Sequence, residues 1–205
     1  IRDQPRSRGL GDVYKRQALG TSKDPGELLH TIAPRVSRIS SPVSTSLSQA
    51  MPIVNAASAF FNISRIENGE DFELFGPSFT SRAADYMEHC DKERLAVGKA
   101  LGLELYSLLE TVNSQRSEKK ATLYEAFKNN ALYDGLKGPV SLSDRSLSED
   151  LPCGLGSLLD LADMMHVPAP YITAMVDTAS LYMGKPYEPF LTVQDLRAIK
   201  ALRGK

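Results

Sequence analysis

A chain of 205 residues with 24 basic and 25 acidic side chains, formal net charge -1, has length for one or two domains and a sizeable core. Its even charge balance leaves no basic stripe for nucleic acid, and no run of about eighteen apolar residues marks a membrane span. Cys90 and Cys153 stand far apart with no C-x-x-C pairing, which argues against a zinc site or disulfide framework and makes a reducing, cytoplasmic setting the expectation.

The first residues carry a trace of DNA handling. DVYKRQ, Asp12 to Gln17, reads back into codons as GAT-GTG-TAT-AAG-AGA-CAG, the transposon end used in library preparation. There is no initiator Met and no apolar stretch of a signal peptide. Residues 1–17 are therefore expected to be an adapter-derived scar, with the native chain starting in mid-protein. Gly9-Leu-Gly11 is then no phosphate loop.

From Ala18 to Ser48 the sequence is mixed. Gly26 to His30 suits a short helix, while Val36 to Ser46, rich in serine and β-branched residues, is expected to be the last strand and loops of something larger. Pro34, Pro42 and Pro52 punctuate it. After Pro77 the pattern changes. A helix is expected over Thr80–Leu103, entered at Thr80 or Ser81, with Tyr86, Cys90, Val97 and Leu101 as its apolar stripe. The charged patch Asp91–Arg94 interrupts that stripe, and Gly102 ends the helix.

Shorter helices are expected over Glu104–Val112 and Ser117–Asn130. Gly154–Val167 repeats the apolar spacing through Leu158, Leu161 and Met165 until Pro168 and Pro170 stop it. Ala169–Tyr182 places Ile172, Met175, Val176 and Ala179 at i, i+3, i+4, i+7, and Gly184 closes it. Thr192–Leu202 opens on Thr-Val-Gln-Asp, a capping box with Asp195 in the acidic role. Residues 80–205 thus read as a helical domain, without repeats or low-complexity tracts.

Few residues suggest chemistry on composition alone. His30, His89 and His166 are scattered, and each reads first as structural or solvated. Gly154-Leu-Gly156 opens a helix and is explained equally well by a turn or by an anion site. Met164-Met165 reads as core filling. RSLSEDLPCGL, Arg145 to Leu155, is more informative. A separation of five puts Arg145 and Asp150 on different faces of one helix, so they form no i,i+4 rung. Two readings follow: a loop with a helix-start signal, which is the default on spacing alone, or a polar loop carrying a charged pair to a cleft.

Three stretches together bring a family into view: TSLSQAMPIVNAASAFFNISRIENG (Thr45 to Gly69), DKERLAVGKALGL (Asp91 to Leu103), and KGPVSLSDRSLSEDLPCGLGSLLDLADMMHVPAP (Lys137 to Pro170). In this order they resemble the C-terminal helical domain of the octopine/nopaline (opine) dehydrogenases. That family's pattern runs T-S-L-S-N, N-P-V-x-H-P-x-x-x-L-L-N, D-x-E-R-x-A-I-A-K-A-L-G, and R-Y-L-x-E-D-V-P-Y-G-L. The likeness spans about residues 43 to 190.

The resemblance implies a mainly α fold: a helical substrate domain preceded by the tail end of a Rossmann α/β domain. Residues 18–54 would be the remnant of the dinucleotide domain and linker, and residues 55–205 the substrate domain. It implies NAD or NADP as cofactor, bound mainly by a part not included here, since no G-x-G-x-x-G is present. It implies an amino acid and an α-keto acid as substrates, condensed and reduced to a secondary amine, with a homodimer possible and no metal. By motif match Arg145 falls on the family's substrate-carboxylate arginine and Asp150 on the aspartate of its His-Asp pair, so the functional reading of the pair takes over.

The chain departs from the pattern at one decisive position. Asn55 stands where the resemblance puts the catalytic histidine, and Phe60-Phe61-Asn62 keeps the register behind it. An amide hydrogen-bonds but exchanges no proton near neutral pH. Two readings stay open: a divergent oxidoreductase in which water or another residue such as His30 handles the proton, or a catalytically silent metabolite-binding relative. An unrelated helical interaction domain is the third possibility. Gln49 replaces the usual Asn, and Ser146 and Cys153 replace tyrosines, so a changed pocket surface is expected.

Overall fold

A computed structural model describes residues 42–197, apart from 115, 129, 190 and 196. The expected adapter segment 1–17, the expected short helix at Gly26–His30, residues 18–41 of the expected dinucleotide-domain remnant 18–54 and the end of the expected final helix lie outside the described residues. What is described is mainly helical, with one isolated antiparallel bridge, Glu73 to Lys137, and no strand.

Helix α1 is Pro42–Ser48. The strand expectation over Val36–Ser46 therefore fails for residues 42–46. Leu47 is buried in the core and Ser48 Oγ donates to the Ser44 carbonyl at 2.7 Å. Strand propensity spans only about 1 kcal/mol, and docking of an apolar residue overrides it. Helix α2, Met51–Phe60, follows at once with proline in its first turn, where no N–H is needed. Ile53, Val54, Ala56, Ala57, Ser58 and Ala59 are all buried, so α2 is the central helix. Helix α3, Ile63–Glu67, continues it after a break.

Helix α4, Ser81–Ala100, is the longest element described. Thr80 caps it by accepting from the Ala83 N–H at 3.2 Å, and Gly102 at φ 65 takes the left-handed conformation that ends it. Helix α5 is Leu108–Ser114, starting later than the expected Glu104. Its start is a capping box: the Ser107 N–H donates to Glu110 Oε2 at 2.7 Å and the Glu110 N–H to Ser107 Oγ at 3.1 Å. Helix α6 is only Leu123–Phe127, where the sequence pattern extends over Ser117–Asn130. The Asn113 side chain explains the difference, pairing with the Lys120 carbonyl and N–H at 2.9 Å each. That pairing withdraws Lys120 from any helical ladder.

Helix α7, Arg145–Ser148, occupies what was expected to be a loop, capped by Asp144 through the Ser146 N–H at 2.9 Å. A π-helical turn, Asp150–Gly156, comes next and runs straight into α8, Ser157–Met164. The expected helix start at Gly154 is thus too late. His166, at φ 55, closes α8, with the Val167 N–H returning to the Ala162 carbonyl. Helix α9, Pro170–Tyr182, buries Ile172, Met175, Val176 and Ala179, and Gly184 at φ 64 ends it, as the spacing indicates. Beyond it the chain crosses back over α8: the Tyr187 hydroxyl and the Leu191 N–H donate to the two oxygens of buried Asp160, at 2.9 and 3.0 Å. The box at Thr192 forms in both directions, 2.7 Å to Asp195 Oδ2 and 3.2 Å back.

The charged patch on α4 is not a surface interruption. Asp91, Glu93 and Arg94 are buried. Arg94 bonds Asp91 through Nε at 2.8 Å and donates to the carbonyls of Leu47 and Tyr106. Asp91 in turn accepts from the Leu108 N–H at 2.7 Å, at the start of α5. Glu93 accepts from the Tyr171 and Ile172 N–H groups, at 2.8 and 2.9 Å, and so caps α9, whose own N-cap residue Ala169 makes no side-chain bond. Burial pushes the Glu93 carboxyl above its ordinary value, against the two N–H bonds and His89, which pull it down.

Candidate functional site

Asn55 is a half-buried amide on a helix whose buried positions are apolar apart from Ser58. In such surroundings an amide needs a partner. Its Nδ2 donates to Asp150 Oδ2 at 2.8 Å, across 95 residues of sequence. Asp150 begins the π-helical turn and keeps only 12% of its side-chain exposure. The turn packs against α2 where Gly154 faces Pro52: a Cβ at Gly154 would stand 2.6 Å from Pro52 Cβ, so only glycine permits this approach. Pro152 lacks an N–H, and the Cys153 N–H still reaches the Glu149 carbonyl at 2.8 Å. π-turns of this kind recur at functional sites because the wider coil reorients a side chain.

Arg145 sits on α7 with its side chain 71% exposed, and its Nη2 stands 4.0 Å from Asp150 Oδ1. Its Nε is 3.9 Å from Glu149 Oε2, the i,i+4 neighbour. Both are loose ion pairs, longer than a hydrogen bond. The structure therefore brings Asn55, Asp150 and Arg145 to one place, at the junction of α2, α7 and the π-helical turn. Glu149 joins them; its position one residue before Asp150 was readable, but its spacing to Arg145 on a helix was not, because no helix was expected there.

A cleft of about 400 Å³ borders the same two elements on another side. Pro52 and Ile53 of α2, Cys153 and Gly154 of the turn, and leucines of α1 and α8 line it, while Asn55, Asp150 and Arg145 do not. Besides Asn55, the departures from the resemblance are Gln49 and Cys153, which both line this cleft, and Ser146, which is half-buried beside Arg145. The histidines lie elsewhere. His89 stacks on Tyr171 with ring centroids 4.3 Å apart, and His166 ends α8. His30 is outside the described residues.

Among the described residues no three His, Cys, Asp or Glu side chains group as a metal site, and no helix is long and apolar enough to cross a membrane. Nor do they contain a strand running through a glycine-rich turn into a helix, the cradle a dinucleotide pyrophosphate requires. These residues by themselves do not fit a nicotinamide dinucleotide.

Comparison with known proteins gives the constellation its setting. Residues 38–183 match the family described as NAD/NADP octopine/nopaline dehydrogenase, alpha-helical domain. An opine dehydrogenase of Arthrobacter sp. (strain 1C) is 30% identical over 154 residues, covering 75% of this chain and 43% of that relative. An octopine dehydrogenase solved with NADH and L-arginine superposes with a TM-score of 0.67 at 18% identity, covering 89% of this chain and 55% of that one. The form solved with NADH and pyruvate gives 0.61 at 20% identity, covering 89% and 53%. The chain thus spans about half the length of the proteins it resembles or less, and the solved structures share its fold.

Proposed function

The chain belongs to the octopine/nopaline dehydrogenase family by its alpha-helical domain, and on that premise we propose that it is the substrate-binding part of an opine dehydrogenase-like oxidoreductase. The reaction is the reductive condensation of an amino acid with an α-keto acid, giving a secondary amine that carries two carboxylates. The reducing equivalent is that of NADH or NADPH, held by a part of the full-length protein other than the described helices. The end of that part and its linker lie, on this reading, before the described helices, which begin at Pro42.

The observation that carries the proposal is the Asn55–Asp150 hydrogen bond at 2.8 Å with Arg145 beside it. These positions lie on separate motifs, and a helical bundle unrelated to the family would have no reason to bring them together. Arg145 holds a substrate carboxylate. Its guanidinium is exposed and only loosely paired, so a carboxylate can replace the neighbouring acids bidentately. Asp150 is the fixed negative charge of the site. Asn55 orients Asp150 but moves no proton, which leaves proton transfer to water or to a group outside the described residues.

The test is an absorbance assay on the full-length protein with NADH or NADPH and a panel of amino acids and α-keto acids. Keto-acid-dependent oxidation is expected, with Arg145→Ala raising KM by about two orders of magnitude, as loss of a charged hydrogen-bonding partner should. A second reading is favoured by the amide at position 55: a silent relative that binds metabolites without turnover. Asn55→His discriminates. In an active enzyme it raises turnover by about 10²–10⁴ and adds a pH dependence near the ordinary imidazole value of about 6.5. Dinucleotide binding with no oxidation in either form supports the silent relative.

A further inference from the structure

The π-helical turn is held at two glycines, each admitting a side chain from another element. Gly154 takes Pro52 of α2. Gly156, the last residue of the turn, takes Tyr187 from the chain beyond α9: a Cβ there would stand 2.3 Å from Tyr187 Cε2 and 2.7 Å from Cζ. Gly156 has φ -61 and ψ -47, an ordinary helical conformation, so it is the approach of the ring that requires glycine. Tyr187 also reaches into α8. Its hydroxyl donates to Asp160 Oδ1 at 2.9 Å, and Asp160, 4% exposed, takes the Leu191 N–H on Oδ2 at 3.0 Å. One side chain thus grips both sides of the junction where the turn becomes α8.

That junction sets where Asp150 points. A π-turn carries one residue more than the α-helical course it interrupts, and an α-helix rotates about 100° per residue. Relaxing the turn into the coil of α8 would swing Asp150 by about 100° relative to α8. Its 2.8 Å bond from Asn55 would then break. π-helical coils are rare beyond single turns, so this one needs support from outside itself. Burial, then the bond to Asp160, pushes the Tyr187 hydroxyl above its ordinary value, so at neutral pH it stays protonated and keeps donating. It is no substitute for the proton-transfer group that Asn55 does not provide. We propose that Tyr187 is a positioning residue for the Asn55–Asp150–Arg145 site: by bracing the π-to-α junction it fixes the rotation at which Asp150 meets Asn55. The effect on turnover rests on the reading that this site binds substrate; the effect on geometry does not.

The geometric test follows the Asn55 side-chain amide by NMR in the 205-residue chain, its signal assigned by loss in Asn55→Ala. Tyr187→Ala removes the ring and is expected to move that signal most of the way to its position in Asp150→Ala, where the bond is absent. Tyr187→Phe keeps the ring on Gly156 and should leave the signal near its original position. Should Tyr187→Ala not fold, Tyr187→Leu, which keeps apolar volume without a planar ring, carries the test. Val112→Ala truncates a core residue of α5 instead and should lower stability without moving the signal. In the full-length protein, loss of the ring should lower kcat/KM for keto-acid-dependent oxidation by about 10²-fold, the cost of a misplaced group, while Tyr187→Phe retains most of it. An Asn55 signal that stays in place when the ring is lost, or moves as far in Val112→Ala, overturns the inference. So does a moved signal with turnover undiminished. A moved signal in a protein whose unaltered form oxidises no dinucleotide leaves the brace standing and overturns the oxidoreductase reading.

Discussion

Two regions of the molecule are built from the same three charged residue types and end in opposite states. On α4, Arg94, Asp91 and Glu93 are buried, and the arginine at 2% exposure has partners on both sides: Asp91 and the carbonyls of Leu47 in α1 and Tyr106 in the loop before α5. At the α7–π junction, Arg145, Glu149 and Asp150 form a second set, whose arginine is 71% exposed with partners no nearer than 3.9 Å. In the first set every group is satisfied from within, so it fixes helices against one another and has nothing left to offer a ligand. In the second set Asp150 is held by Asn55, and the guanidinium is left open. Satisfaction, not residue type, separates the structural charge cluster from the one proposed to bind substrate.

The largest effect should come from breaking the buried set. Arg94→Ala leaves Asp91 charged and unpaired in the core and is expected to destabilise the fold by roughly 3–5 kcal/mol in urea unfolding. Arg145→Ala should change stability by less than about 0.5 kcal/mol in the same measurement. Comparable losses in the two variants would erase the distinction. Next comes Gly154→Ala, whose new Cβ meets Pro52 at 2.6 Å. Overpacking of this kind costs about 1–3 kcal/mol and should also shift the amide resonances of Asn55 and Asp150, since it pushes α2 from the turn that carries the carboxylate.

Glu93 sharpens the comparison through pH. Its folded-state pKa lies above the ordinary 4.5, with burial the main cause. A raised carboxyl value contributes stability that is complete below the unfolded pKa and is lost as pH rises through the folded one. The stability of the protein relative to Glu93→Gln should therefore fall as pH rises above the ordinary carboxyl value and through the raised folded-state one, measured by paired urea unfolding curves. A difference that is flat or rises with pH would show that the two N–H bonds outweigh burial. The smallest effect is expected from Glu149→Gln. The exposed 3.9 Å pair contributes about 0–1 kcal/mol, so stability barely moves, while pyruvate affinity should rise a few-fold as one repelling charge is removed.

Much of the bundle was legible because it is written locally. The extents of α4 and α9, the glycines that end them and the box at Thr192 follow from spacing and caps within a few residues of each other. The same kind of signal marks Ser107 and Glu110, and reading it would have placed the start of α5 correctly. Other features had no local signature. Residues 117–121 stay out of a helix because of a side chain at position 113, and α1 is helical because Leu47 docks in the core. In the sequence Asp91–Arg94 is only a charged break in the apolar stripe, yet partners at Leu47, Tyr106, Leu108, Tyr171 and Ile172 turn Asp91, Glu93 and Arg94 inward.

By itself the sequence determined a helical domain and the family to which it belongs, and singled out three positions, Asn55, Arg145 and Asp150, that are proposed to carry its chemistry. Periodicity and motif order carry that much, because both are properties of neighbouring residues. Only the tertiary structure decided that Asn55 bonds Asp150 at 2.8 Å, that the arginine beside them stays open, and that the other arginine cluster is closed. Those outcomes depend on which groups lose water and which find a partner when α2, α4 and the π-helical turn pack, and that pairing joins residues 95 apart, where no local pattern reaches.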